Sequence, residues 1–291
     1  KLQFLFFMKK TAKYILIIFG IIFISIIFLG GGFGSADTII MNNGNPIVFA
    51  HRGVTTLSVE NSLDAFRMSE NLGFKAIETD IRCTKDEKLI VFHDDSGKKL
   101  LNIDKEISDL RWDEIKEQKL LNNGVESDNL VLSLEQFLQQ TSTSFIIYLD
   151  VKEPSKCTAD QLIHFLDKYK DHQNIIIADG NLFFLLYLKF LNPEIKVALE
   201  GFDKGKEWIY YLTPKKFKPD FYSGFLQEVD EDHMKFLQKN GLLDHRIVYG
   251  VDHDNIWSVY KLGLQHIIFD YDISKGNLEE IEHLLKDNKY Q

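Results

Sequence analysis

The sequence predicts an α/β protein built as a closed (β/α)8 TIM barrel, and three observations predict it. From Pro46 onward, short β-rich runs alternate with amphipathic stretches. The runs are almost continuously apolar, as expected of strands buried on both faces of a parallel sheet. The chain has 291 residues, and one barrel of this type uses roughly 250. Strands each followed by a helix favour a closed barrel over an open doubly wound sheet. No glycine-rich nucleotide loop follows the first strand, which also counts against the open sheet.

The strand-like runs are IVFAHRG (47–53), KAIETDI (75–81), FIIYLDVK (145–152), NIIIADG (174–180), IKVALEG (195–201), FYSGFL (221–226), RIVYGVD (246–252) and HIIFDYD (266–272). Helical patterns lie between them. They include NSLDAFRMSENLG, SLEQFLQQT, ADQLIHFLDKY, NLFFLLYLKFLN, DEDHMKFLQKNG, NIWSVYKLG and NLEEIEHLLKD. In several, apolar residues recur at three- and four-residue spacing, one buried stripe per helix. LIVFHD (89–94) breaks the alternation. It follows the second strand too closely for a crossover helix, so it should return as a hairpin turning at Asp86-Glu87. That register sets residue i opposite 173 − i and brings Asp80 opposite His93. Residues 95–130 form the longest break, with a short helix expected at 109–118. Long connections at a barrel mouth usually shape the substrate site.

Residues 1–36 stand apart. Tyr14 to Gly34 is almost wholly apolar and follows Lys9, Lys10 and Lys13. A positive flank before an apolar run reads as an export signal, with the remainder carried across the membrane. Gly34-Ser35-Ala36 offers a cleavage site, yet the run also approaches the ~20 residues that span a bilayer. Cleaved signal peptide and retained transmembrane anchor both stay open, and with the second comes membrane association through residues 14–34. No Cys follows the run to carry a lipid, and Met8-Lys9-Lys10 reads like a start. Residues 46–291 are then the barrel domain.

Formal net charge is −9, which argues against a nucleic-acid partner, because phosphate backbones select basic faces. The two cysteines, Cys83 and Cys157, form neither a disulfide framework nor a zinc pattern. One disulfide and two free thiols are both compatible with the sequence.

Chemistry in such barrels sits at the carboxyl ends of the strands. Here the first strand ends in His51-Arg52-Gly53, with Glu60-Asn61 opening the next helix. Glu78 and Asp80 lie two apart on the second strand, hence on one face. Asp150 and Lys152 repeat this on the third, and the hairpin supplies His93. Three converging carboxylates repel strongly unless a cation lies among them. Hard oxygen ligands without thiolates suit one divalent cation, Ca²⁺ or Mg²⁺. Two imidazoles suit acid–base work, while Arg52 and Lys152 offer fixed positive charge to an anionic oxygen. Together these groups point to phosphoryl chemistry. Asp270 reads as structural, holding Lys152 or a loop. His164, His172, His233, His245, His253 and His266 read as surface or core residues.

HRG with EN, then ETDIRCTKD, VFHD and LDVK, in that order and spacing, closely resemble the glycerophosphodiester phosphodiesterases over about residues 46–272. The resemblance implies metal-dependent hydrolysis of a small glycerophosphodiester to sn-glycerol 3-phosphate and an alcohol, and the export signal read at residues 1–36 places that activity outside the cytoplasm. Carried over by motif, His51 and His93 are the acid–base pair, and Arg52 and Lys152 hold phosphate. Glu78, Asp80 and Asp150 ligate the metal, while Glu60 orders the first loop near the metal and joins Arg52 and Lys152 in binding substrate. Some positions depart from the family pattern. Asp150 replaces the usual Glu, as in the related spider-venom-type sphingomyelinase D enzymes. SGKKLLNID stands where an Arg-Thr pair commonly follows HD. Phe269-Asp270-Tyr271-Asp272 replaces Thr-Asp-x-Pro, and VYGVDHD lacks the Trp-Thr-Val-Asn pattern. The far wall of the pocket is therefore atypical. Two alternatives follow: phospholipase D-like action on a lysophospholipid or sphingolipid at the membrane, or a non-catalytic, surface-anchored binding barrel.

Overall fold

The computed structural model describes residues 45–169 and 174–287, with scattered positions between 14 and 33. The signal or anchor read at 1–36 falls mostly outside the described residues. Among those described, no helix is long and apolar enough to cross a membrane.

In chain order the first strands are β1 Ile47–His51, β2 Ala76–Cys83, β3 Leu89–Val91, β4 Lys119–Asn122, β5 Val125–Leu130 and β6 Leu132–Ser133. Then follow β7 Ile146–Val151, β8 Ile175–Asp179, β9 Lys196–Leu199, β10 Phe221–Phe225, β11 Arg246–Asp252 and β12 His266–Asp270. β1, β2 and β7 to β12 pair in parallel in that order, and β12 returns to β1, which closes the ring. The eight ring strands coincide with the eight runs read from sequence. Their inward side chains, among them Phe49, Tyr148, Ile176, Ala198, Phe221 and Ile247, fill the interior. The opposite faces pack against the helices in a larger core that includes Phe66, Ile77, Phe137, Leu185 and Val248.

Helix starts are fixed locally. Ser62, Ser133, Ser155, Asn181 and Asp230 each accept a backbone N–H of the first helical turn, which satisfies donors the helix itself cannot. Two short helices, Lys98–Leu101 and Glu207–Leu212, are not among the patterns read from sequence. The four residues of the first, KKLL, and the six of the second, EWIYYL, are too few to display a period.

The hairpin exists, but its register is one residue from the expected one. Ile81 pairs with Val91, Arg82 with Ile90 and Cys83 with Leu89, so Asp80 stands opposite Phe92 rather than His93. The cause is the turn. Thr84 and Lys88 bracket a three-residue loop in which Glu87 takes φ +62°. Three-residue loops commonly end in such a left-handed residue. His93 therefore lies just beyond the paired strand. Residues 95–130 also differ from expectation. The helix is shorter, Trp112–Ile115, and β4 and β5 form a separate hairpin. Asn123 (φ +50°) and Gly124 (φ +82°) turn it, an Asn-Gly signal that marks type I′ hairpins. This insertion has its own apolar cluster, including Ile90, Phe92, Leu101, Ile107, Ile115 and Val131.

Candidate active site

The inward faces of β2, β7 and β9 are apolar at the bottom and lead to polar residues at the top. β2 runs Ala76, Glu78, Asp80; β7 runs Ile146, Tyr148, Asp150; β9 leads through Ala198 to Glu200. The polar ends surround a cavity of about 370 Å³ lined by His51, Arg52, Glu78, Asp80, His93, Asp150, Lys152 and Glu200, among others. Seven of the eight residues assigned from sequence meet there. Glu60 does not line the cavity but stands behind it.

β1 delivers His51 and then turns sharply. Arg52 has φ +55° and Gly53 φ +78°. A Cβ on Gly53 would lie 2.8 Å from the backbone carbon of Ala65. Only glycine fits both the angle and the space. The turn aims the Arg52 amide at Glu78 Oε2, 2.9 Å away. G53A is therefore expected to destabilise the protein by about 1–3 kcal/mol from the dihedral alone, with the Ala65 clash added. Chemical denaturation measures it, and loss of activity should accompany the loss of stability.

His51 and His93 have matching surroundings. His51 Nδ1 lies 2.5 Å from Asp270 Oδ1, and His93 Nδ1 lies 2.8 Å from Asp94 Oδ1. A carboxylate on Nδ1 favours the tautomer with its proton there, which leaves Nε2 for chemistry. His51 Nε2 is 3.9 Å from Glu78 Oε2. Asp270 thus orients His51, rather than holding Lys152 or a loop as its sequence position suggests. Arg82, unremarked in the sequence, donates from Nε to the His93 carbonyl at 2.7 Å and pairs with Glu153 and Asp95. It fixes the loop that the hairpin strand no longer holds.

Glu78, Asp80 and Asp150 bring carboxylate oxygens within 4.8 Å of one another. Glu78 and Asp80 are buried. Burial, reinforced by Asp80 and Asp150, pushes the Glu78 carboxyl well above its ordinary range. Asp80 behaves oppositely. Burial opposes its ionisation, but Lys152, Arg52 and His93 outweigh it and hold the carboxyl below the usual value. Asp150 is raised by burial against the pull of Lys152. Lys152 Nζ reaches Asp80 Oδ1 at 2.9 Å and also contacts Asp150. These two carboxylates outweigh burial and raise its pKa. Arg52 Nε stands 3.3 Å from Asp80, and its Nη1 donates to Glu60 Oε1 at 3.1 Å. Glu60 in turn holds Lys99 at 2.7 Å, so it positions Arg52 from behind.

Two further residues escaped sequence reading. Asn61, buried with φ +57°, donates from Nδ2 to Asp80 at 2.8 Å and accepts from Thr79 at 2.7 Å. Its place beside Glu60 at a helix start was the available signal. Glu200 accepts from the Tyr148 hydroxyl at 2.9 Å, and Ser223 lies on the other side of that hydroxyl at 2.7 Å. Burial, then Asp150, push Glu200 up to about 8. An unfolded glutamate releases its proton near 4.3 (roughly). The folded state binds the extra proton between these values, so stability falls as pH rises through that window. E200Q is expected to raise the Tm of the cation-free protein on the order of 5 °C near pH 8.5 and to change it little near pH 4.5.

The remaining predicted bystanders are structural where described. His233 sits buried against Glu207 at 3.0 Å, and His245 Nδ1 meets the Asp220 carbonyl at 2.7 Å. His266 accepts from the Ile47 amide. His172 lies outside the described residues. Cys83 and Cys157 are free thiols.

Fold and mouth together define a (β/α)8 barrel with paired imidazoles set over an acidic cup. The sequence model of the glycerophosphoryl diester phosphodiesterase family matches residues 51–272, and the chain belongs to that family. A glycerophosphodiester phosphodiesterase of Caldanaerobacter subterraneus is 26% identical over 162 residues, covering 53% of this chain and 65% of that one. For a probable glycerophosphodiester phosphodiesterase of Mycobacterium tuberculosis the figures are 25%, 50% and 53%. The chain thus spans less than two-thirds of the length of these curated relatives. Among solved structures, a glycerophosphodiester phosphodiesterase from Thermotoga maritima superposes with TM-score 0.64 at 25% identity, covering 83% of this chain and 97% of that one. An Oleispira antarctica phosphodiesterase, solved with the product sn-glycerol-3-phosphate, gives 0.68 at 18% identity over 83% and 97%.

Proposed function

We propose that this chain hydrolyses glycerophosphodiesters to sn-glycerol 3-phosphate and an alcohol, with a divalent cation, Ca²⁺ or Mg²⁺, in the acidic cup. One observation carries the reading: two imidazoles, each oriented by its own carboxylate, face one cavity whose floor holds three convergent carboxylates. The carboxylates fit a hard cation. Their oxygens are close enough to share one, and the upward push on Glu78 is the stress that a cation relieves. Glu78, Asp80 and Asp150 would hold it, and it would supply positive charge to the phosphate oxygens.

The chain's own groups do the rest. Arg52 and Lys152 line the cavity beside Asp80, where they can bind the remaining phosphate oxygens. One imidazole takes a proton through Nε2 from the attacking oxygen as the new phosphorus–oxygen bond forms; the attacker is water itself, or the substrate's own 2-hydroxyl, whose cyclic phosphate water then opens. The other gives a proton to the departing alkoxide as the phosphorus–oxygen bond breaks. Asp270 and Asp94 keep the two rings oriented through Nδ1, which leaves each Nε2 to exchange the proton.

The test is a panel of choline, ethanolamine, inositol and glycerol diesters, assayed with Ca²⁺ and with Mg²⁺. EDTA is expected to reduce turnover at least ~100-fold, and added cation to restore it. A protein that binds the cation but turns over none of the panel is a binding barrel, not this enzyme. A lysophospholipid substrate is the second reading. It is favoured by exposed apolar side chains after strand ends, Leu57, Phe183 and Trp257, which lie on the mouth side. Exclusive turnover of lysophosphatidylcholine would establish it. Residues 1–36 we assign to export, as signal or anchor; cell fractionation with and without them decides.

A further inference from the structure

Two neighbouring helices on one side of the barrel are built the wrong way out for water. Leu182–Leu191, between β8 and β9, has a single charged residue, Lys189. It points inward and pairs with Asp220 at 2.7 Å, with 7% of its side chain exposed. Phe183, Phe190 and Leu191 are turned outward instead. Glu207–Leu212, between β9 and β10, exposes Trp208, Tyr211 and Leu212 at three- and four-residue spacing, so on one stripe. Of the twelve exposed large apolar side chains among the described residues after 44, these two helices carry six, so the exposure is clustered. The helices on either side follow the usual rule of a polar outer face. Lys156–Lys168 exposes Lys156, Asp160 and Asp167, and Glu231–Lys239 exposes Glu231, Asp232 and Lys235.

The course of the chain indicates what covers this face. Each of the two helices follows a strand that ends at the mouth, so each runs back toward the far rim of the barrel. The second leads there into the basic stretch Pro214-Lys215-Lys216-Phe217-Lys218. The Lys215 amide donates to the Gly32 carbonyl at 2.9 Å, and the Gly31 backbone lies against the aliphatic stem of Lys216. Phe33, the next residue, is exposed. Gly31, Gly32 and Phe33 belong to the end of the apolar run at 14–34. The segment read as signal or anchor therefore meets the barrel beside the apolar face. Aromatic and leucine side chains flanked by lysines are what the headgroup region of a bilayer takes up.

We infer that this face docks on an anionic lipid bilayer. Phe190, Leu191, Trp208, Tyr211 and Leu212 enter the boundary between headgroups and acyl chains. Lys216 meets the lipid phosphates, and residues 14–34 hold the chain to the same membrane. Docking buries an apolar patch larger than a soluble surface usually leaves open. None of these residues lines the catalytic cavity, and the mouth, at the other end of the barrel, stays open to water. The inference rests on the anchor reading of residues 14–34 and is independent of the hydrolase reading.

The experiment mixes the full chain with vesicles of phosphatidylcholine and phosphatidylglycerol, with or without bromine on the acyl chains. Flotation reads the anchor. Quenching of indole fluorescence reads the face, since bromine quenches only at close range. The chain has three tryptophans, Trp112, Trp208 and Trp257. W208F is expected to remove at least about half of the quenching, because phenylalanine keeps the face apolar while taking away its indole. W112F and W257F should leave the quenching in place. F190S combined with L212S changes two exposed positions without touching an indole, and should lower the quenching several-fold. A chain that floats while W208F, or the double variant, leaves the quenching unchanged keeps the anchor and overturns the docking face. A chain that does not float overturns both. Sedimentation in mild detergent reads the rival occupant: a dimer that the double variant splits gives the face to a second copy and overturns the inference, and a monomer supports it.

Discussion

Replacing His51 or His93 by alanine is expected to lower kcat on a glycerophosphodiester by about 100- to 10,000-fold, the usual loss when a positioned acid or base is removed. Each ring has a distinct carboxylate on Nδ1, at 2.5 Å and 2.8 Å, so neither can stand in for the other. Stability should scarcely move. Asp270, which H51A leaves without its ring partner, has 56% of its side chain exposed and can be solvated by water. The measurement is therefore kcat together with the denaturation midpoint of the same preparation. D270N should give a smaller loss than H51A, because the ring remains but its tautomer is no longer enforced. Full activity in either alanine variant removes the acid–base assignment.

The second large effect separates two carboxylates that look alike in sequence. Asp80 is ionised in the cation-free protein because Lys152, Arg52 and His93 overcome its burial. Glu78 is pushed toward its protonated form by burial and by its two acidic neighbours. D80A then leaves two cations without their buried partner, and is expected to cost about 3–5 kcal/mol, as broken buried pairs do. E78Q should cost little near neutral pH, since the amide is the shape of the protonated acid and its oxygen can still accept from Arg52. Both should abolish cation-dependent activity. Urea denaturation of the two variants without cation, beside their activities with it, provides the check. Equal destabilisation would contradict the opposite charge states assigned here.

Much of this was legible in the sequence because the repeating unit is short. Eight apolar runs gave eight ring strands, and two-residue spacing alone put Glu78 with Asp80 and Asp150 with Lys152 on the inner face. What sequence could not supply was anything set by a single dihedral. Glu87 at φ +62° moved the hairpin by one position, and with it the partner of Asp80. Side-chain partners across the ring were equally hidden. Asp270 bonds a histidine 219 residues away, and no local pattern encodes that distance. Glu200 was overlooked for a related reason. It ends a run that was read only as strand, and its hydrogen bond with Tyr148, 52 residues away, appears only once the strands are placed.

Among the groups assigned to the mouth, His93 differs in how it is carried. The others stand on or directly after ring strands. His93 follows β3, outside the ring: Leu89 and Val91 pack into the barrel's outer core, but Ile90 and Phe92, next to His93, join the insertion's own apolar cluster. Units with their own small core open at lower free energy than the whole molecule. Inactivation can therefore run ahead of melting: a heated or mildly denatured sample can retain an intact barrel after one half of its proton relay has swung out of reach.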